Sequence, residues 1–368
     1  CLIMIVTIGN KLLALPGIMY QSSGSDAIWI VVLNLFLAFL VFWMFAYVAN
    51  RYPNKTFKEF AVKYLGKVGY NVILLFFMFY YLIKLVLTLN EGEIFLSETI
   101  YVGMNSALYI IPTIVVASFF VYKGINAIAR TNEILVKMIL IGLAVTIALS
   151  LPNARFEAIL PLFTHDLGDL FFSFNHISMW FGNYFILFIF LGKIKISKNF
   201  VPKVLKSYLV SALLVLIFFV VYYAVYGPSS VIHQFAVNDI VALTPELSSL
   251  IKIDWFTVFF YSFALILHSL IQFYYVTYCV EEVFNIPHTK LGAVVYMAIF
   301  GIVYLLLPFN AQDIVLFCSE TIGFYCFLVN LIFPIIVLII LIIENHKNNI
   351  KNKMYYTRKL ENRKNLSG

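Results

Sequence analysis

The chain has 368 residues, 62% of them hydrophobic and only 12% charged, with a formal net charge of +7 and a mean hydropathy of +0.94. A soluble domain carries roughly 25% charged and about 45–50% apolar residues, so a water-soluble fold is excluded and lipid must serve as solvent for several spans. The positive balance calls for no nucleic acid: it gathers between the apolar runs, as expected of a cytoplasmic face lying on anionic lipid.

Hydropathy places ten spans at about 2–20, 27–49, 69–96, 107–122, 132–151, 171–192, 207–226, 255–279, 291–307 and 314–343. The first contains TIGNKLLALPG (Thr7–Gly17), where glycine, asparagine, lysine and proline fall within a few residues. A break at that depth is tolerated only where protein or a wet cavity covers the freed main chain. Gly9 and Asn10 are candidate main-chain donors to a ligand carboxylate. Lys11 sits beside them, where burying its ammonium costs roughly 2.5–3.5 kcal/mol, so a partnered or ligand-facing lysine is expected. Cys1 reads as the start of a chain whose first residues are missing rather than as a lipidated terminus, because apolar residues follow at once.

The third span carries Lys84, Thr88 and Glu91 on one helical face. Lys84 and Glu91 stand two turns apart, about 10 Å, and are not expected to touch. The sixth span is interrupted by HISMWFGNYF, in which Trp180, Phe181 and Gly182 suggest carbonyls open to an ammonium and rings that gate a pocket. The eighth carries Ser262, His268, Ser269 and Gln272; His268 and Ser269 are further pocket or coupling candidates. Glu93 and Glu98 read as a solvated rim, and Glu320 as a residue near the interface.

With the N-terminus placed inside, 21 of the 25 basic residues fall on the cytoplasmic side and two, Arg155 and Lys252, on the other. Both termini are therefore expected in the cytoplasm. Ten spans divide into two sets of five that enter from opposite sides, the arithmetic of an inverted repeat. The expected fold is an all-α membrane protein of ten transmembrane helices in a 5+5 inverted repeat (LeuT-like), with spans 1 and 6 discontinuous. The membrane domain covers 1–343, with one repeat over 1–151 and the other over 171–343; a basic cytoplasmic tail covers 344–368. Cys1, Cys279, Cys318 and Cys326 have neither disulfide nor metal spacing. No nucleotide loop, zinc pair or nucleophile elbow is present, so neither an enzyme nor a cofactor or metal site is expected.

Four stretches carry a family resemblance. GNKLLALPG resembles the first-helix signature of amino acid–polyamine–organocation permeases. RYPNKTFKEFAVKYLGKVG (Arg51–Gly69), YKGINAIARTNEI (Tyr122–Ile134) and LPNARFEAILPLF (Leu151–Phe163) are similar to connections of one branch of that superfamily, the spore germination permeases. These are the B subunits of germinant receptors. The resemblance implies a germinant, typically an amino acid, bound between spans 1 and 6 with spans 3 and 8 lining the site. It further implies a spore inner membrane location and two partners, an A-type membrane subunit and a C-type lipoprotein. Lys11 departs from the small residue usual in the wider superfamily. A proton-coupled amino acid transporter with no signalling role is the alternative, with Lys11 or Lys84 in place of a coupling ion. A scaffold subunit with a vestigial pocket is a third reading.

Overall fold

The computed structural model describes residues 1–53, 55–100, 102–193, 196, 199–242, 253–286, 290–306, 311–340 and 342–343. The expected basic tail, 344–368, lies outside them. Two compact units are present, Cys1–Phe327 and Leu328–Gly368, and every site residue discussed below belongs to the first. Among the described residues the protein is all helical, with no strand.

Six apolar segments are long enough to cross a membrane: Leu15–Arg51, Phe57–Thr99, Ile125–Asn153, Phe200–Ile232, Trp255–Val283 and Gly323–Ile340. Shorter apolar helices cover Ala107–Lys123, Ser178–Phe190 and Gly292–Leu306. Large apolar side chains such as Phe36, Phe79, Phe119 and Leu213 remain exposed on the outer faces of these helices. The interior instead holds buried polar residues, including Asn10, Lys11, Lys84, Glu91 and His268. That inversion of the soluble pattern is what lipid as solvent demands, since ionisable groups at depth face the bundle.

The first expected span is two helices, α1 (Leu2–Ile8) and α2 (Leu15–Ser23). Gly9 ends α1 at φ 46°, and Pro16 sits in the first turn of α2, where its missing N–H costs nothing. A turn at Gly24–Asp26 leads into α3 (Ala27–Arg51). The stretch between spans 2 and 3 is itself largely helical. Thr56 caps α4 (Phe57–Thr99) by accepting from Glu59 N at 3.3 Å, and Thr-x-x-Glu is the spacing of a capping box. A helix of 43 residues is about 65 Å long, more than a bilayer requires. Gly66, at φ 72°, kinks it and turns the leading segment aside.

Beyond α5 (Ala107–Lys123) and α6 (Ile125–Ser150), short 3-10 turns occupy the connection that leads to the sixth expected span. That span comprises α7 (Leu167–His176), a turn at Ile177, α8 (Ser178–Phe181) and a 3-10 helix over Gly182–Phe190. Trp180, Phe181 and Gly182 therefore lie in helical turns, where the sequence suggests unwound chain. The remaining elements are α9 (Phe200–Tyr226), α10 (Ala236–Ala242), α11 (Ile253–Val283), α12 (Lys290–Leu306), α13 (Ala311–Leu316) and α14 (Gly323–Ile340). A π-turn at Phe317–Thr321 separates the last two, so the continuous tenth span expected over 314–343 is interrupted near its start. Three helix pairs make the most extensive contacts: α4 with α11, α3 with α9, and α5 with α12.

Candidate functional site

The main chain of the first interruption is held by protein groups. Gly9 N–H donates to Ile5 O at 2.7 Å, so it still belongs to α1. Tyr261 of α11 then bridges the gap: its hydroxyl donates to Gly9 O at 2.9 Å and accepts from Leu12 N at 3.1 Å. Val237 N donates to Leu12 O at 3.0 Å. A Cβ on Gly9 would lie 2.9 Å from His268 Cε1, and the positive φ strains any other residue there. Position 9 is thus glycine for two independent reasons, and its amide is not open to a ligand in the way the sequence suggests.

The second interruption is held in a corresponding manner by α4. Tyr81 OH accepts from Ile186 N at 3.1 Å and lies 3.2 and 3.3 Å from the carbonyls of Gly182 and Asn183, to which it donates. One turn further along α4, Lys84 Nζ donates to Asn183 Oδ1 at 2.8 Å and lies over the Tyr80 ring, 4.9 Å from its centre. Each interruption is therefore clamped by one tyrosine hydroxyl, which serves a carbonyl and an amide three or four residues apart.

Glu91 joins the two. Asn10 Nδ2 donates to its Oε2, and Trp180 Nε1 donates to its Oε1 at 2.9 Å. Asn10, Glu91 and Trp180 meet although they come from three separate stretches of the chain, as candidates for one site should. The other candidates are placed more loosely. Lys11 Nζ lies 3.4 Å from Val6 O and 5.5 Å from the centre of the Phe181 ring. Among the described residues it forms no ion pair with Glu91. His268 Nε2 lies 2.9 Å from Gln272 Nε2. Thr88 and Ser269 turn back onto their own helix, donating to Lys84 O and Leu265 O.

Tyr81 and Tyr261 escape sequence reading because tyrosine is common here, with 24 in the chain; Asn183 falls within the quoted HISMWFGNYF stretch, but nothing local singles it out from its neighbours. Helical spacing does carry a signal. Tyr81, Lys84, Thr88 and Glu91 form one stripe on α4, and Tyr261, His268 and Gln272 form another on α11.

A cavity of about 760 Å³ opens beside this junction. Gly17, Ile18 and Gln21 of α2 form one wall, and Glu91, Ile94 and Glu98 of α4 a second. His233, Gln234 and Phe235, together with Val315 and Leu316, complete it. Of the α4 residues in the wall, Glu91 lies farthest from the Thr99 end, so the cavity reaches the residue that ties the interruptions together. Its size suits a small molecule, for which pockets of roughly 300–1,000 Å³ are usual.

A second cavity, of about 460 Å³, lies at the Lys58 end of α4, between Lys58, Lys193, Tyr278, Glu281 and Glu282. There Lys58 Nζ and Glu282 Oε2 pair at 2.8 Å. Between the two cavities the polar residues of the junction are almost fully buried.

Comparison with known proteins decides the class. The model of the spore germination protein family, the spore permeases, matches residues 1–314. The chain belongs to this family. Spore germination protein KB of Bacillus subtilis (strain 168) is 29% identical over 139 residues, a stretch covering 36% of this chain and 35% of that relative. The match thus spans about a third of the curated relative's length. Family membership and the apolar helices together describe a multi-pass membrane protein of the spore germination class.

Proposed function

We propose that the chain is the B subunit of a germinant receptor, a permease-like protein of the amino acid–polyamine–organocation superfamily that binds a small germinant of the amino acid class where its two interrupted spans meet. The observation that carries this reading is Glu91: its carboxylate bonds both Asn10 and Trp180, and the same residue lines a cavity of about 760 Å³. A ligand arriving there acts on both interruptions at once. It shifts the protein between two packings only through its different affinity for each. On this reading the cavity opens outward and the basic connections, with both termini, face the cytoplasm. The partners are an A-type membrane subunit and a C-type lipoprotein in the spore inner membrane.

Two features support a ten-span, 5+5 inverted repeat. Counted along the chain, the pairs α3 with α9, α4 with α11 and α5 with α12 each join span n to span n+5. The clamps cross in the same sense: the third span holds the sixth through Tyr81, and the eighth holds the first through Tyr261.

Filling the cavity tests the reading. Ile18 lines it and is only half-buried, so Ile18→Trp is expected to occupy ligand space while the fold is kept. In spores relying on this receptor, the germinant concentration for half-maximal response rises at least tenfold, equivalent to about 1.4 kcal/mol. An unchanged response in a normally assembled receptor overturns the proposal. Uptake by the chain reconstituted alone separates receptor from transporter: a receptor shows no accumulation beyond equilibration.

A further inference from the structure

The lining of the large cavity is charged in one sense. It contains two carboxylates, Glu91 and Glu98, and one imidazole, His233, whose Nδ1 lies 3.5 Å from Asp239 Oδ2. No lysine or arginine is present among its described lining residues. Glu98 has a neighbour of its own: the Gln234 amide, with its nitrogen turned toward the carboxylate, donates at 3.1 and 3.3 Å. Glu91 is 2% exposed, and its two donors, Asn10 and Trp180, are both neutral. Among the described residues no cation lies within ion-pair distance of it. Lys11 stands elsewhere, against Phe181 and Val6 O.

A buried carboxylate is stable as an ion only when charge as well as hydrogen bonding is supplied. Each carboxylate oxygen accepts more than one hydrogen bond, so one donor on each leaves further accepting capacity toward the cavity. The remaining walls are largely aliphatic, with Ile18, Ile94, Val315 and Leu316 prominent. A carboxylate-bearing ligand entering head first would meet two acidic side chains and no lysine or arginine among the described lining residues. An ammonium entering head first meets the counter-charge that Glu91 lacks.

We infer that Glu91 is the recognition group for a primary ammonium, and that the cavity takes a small molecule bearing a cationic amine head on a short aliphatic body. The inference rests on the proposed ligand site and reverses the polarity that the sequence suggests for it, in which the first interruption receives a carboxylate. A zwitterion fits amine first, with its carboxylate toward the mouth near Gln21. The incoming ammonium shares the same two oxygens with Asn10 and Trp180, so recognition acts directly on the group that holds the interruptions together.

The test uses the full-length protein in lipid nanodiscs and three probes of one shape: isobutylamine, isobutyramide and isobutyrate, with binding read by calorimetry at neutral pH. Isobutylamine is expected to bind at least about tenfold more tightly than either of the others. Glu91→Gln abolishes that preference, Glu91→Asp retains it, and Glu98→Gln changes it less than about threefold. Equal binding of the three probes, no binding by any of them, or an undiminished amine preference in Glu91→Gln overturns the inference. L-valine and Ile18→Trp distinguish the two levels of failure. If valine binds, Ile18→Trp blocks it and no amine preference exists, the ammonium assignment falls and the cavity stands. If Ile18→Trp leaves binding untouched, the cavity itself is misassigned and the inference falls with it.

Discussion

The two interruptions meet the same demand in different ways. Around Gly9 the chain leaves the helix, and Tyr261 takes the carbonyl and amide that α1 and α2 leave over. Around Gly182 the chain stays helical but tightens its pitch from α to 3-10, and Tyr81 supports the change. The difference follows from the residues. Gly9 adopts φ 46° with the His268 ring where a Cβ would need to be, and Pro16 sits in the first turn of the next helix. Gly182, at φ −73°, has an ordinary conformation, and no proline lies near it. A true gap needs chain-breaking residues. A change of pitch needs only a partner that rewards it.

That contrast can be broken experimentally, and the largest effect is expected at Lys84. Asn183→Leu removes the only oxygen that receives a hydrogen bond from its buried ammonium in the described contacts. The loss of stability should be about 3 kcal/mol or more, since an unsatisfied buried charge is the costly case. Unfolding of the purified protein in mixed detergent measures it, and a loss well under 1 kcal/mol would show that the Tyr80 ring face suffices.

The paired tyrosines come next. Tyr261→Phe strands Gly9 O and Leu12 N at a gap that cannot close, at a cost of about 1–2 kcal/mol. Tyr81→Phe should cost less, because the 3-10 segment can relax toward α-helical bonding and satisfy its own groups. Hydrogen exchange then accelerates across 9–14 in the first variant and changes little across 182–190 in the second. Equal acceleration in both would mean that the two interruptions are the same device.

A last test concerns a clasp at the turn between α2 and α3, outside the expected spans 2–20 and 27–49. Asp26, in the turn after α2, accepts from the main-chain amides of Phe163, Thr164 and His165, tying that turn to the segment before α7. Burial pushes its carboxyl up, but bonds from His165, Phe163 and Thr164 outweigh it and hold the group at about 2. The unfolded value is about 3.9. The folded form is therefore the stronger acid, and the clasp contributes fully above the unfolded value and is lost as pH falls through about 2. Thermal stability of Asp26→Asn should fall below wild type near neutrality, with the gap narrowing as pH drops toward 2. A gap independent of pH would assign the clasp to shape rather than charge.

Much of the molecule was legible in the chain itself. Composition fixes lipid as the solvent, because no aqueous core holds so much apolar surface. The Gly9 break and the Lys84–Thr88–Glu91 face are equally local, one set by backbone sterics and the other by helical period. The second interruption was visible as a place but not as a conformation, since 3-10 pitch there depends on Tyr81 from another helix.

What only tertiary structure decided is how the candidates combine. Glu91 is bonded to a residue 81 positions away and to another 89 away. No periodicity encodes such distances, because they arise from how helices pack and not from how any one helix forms. Sequence placed the polar residues at depth for a local reason, the cost of exposing them to lipid. Packing alone selected which of them meet, and that selection put a carboxylate, not an amide pair, at the floor of the cavity.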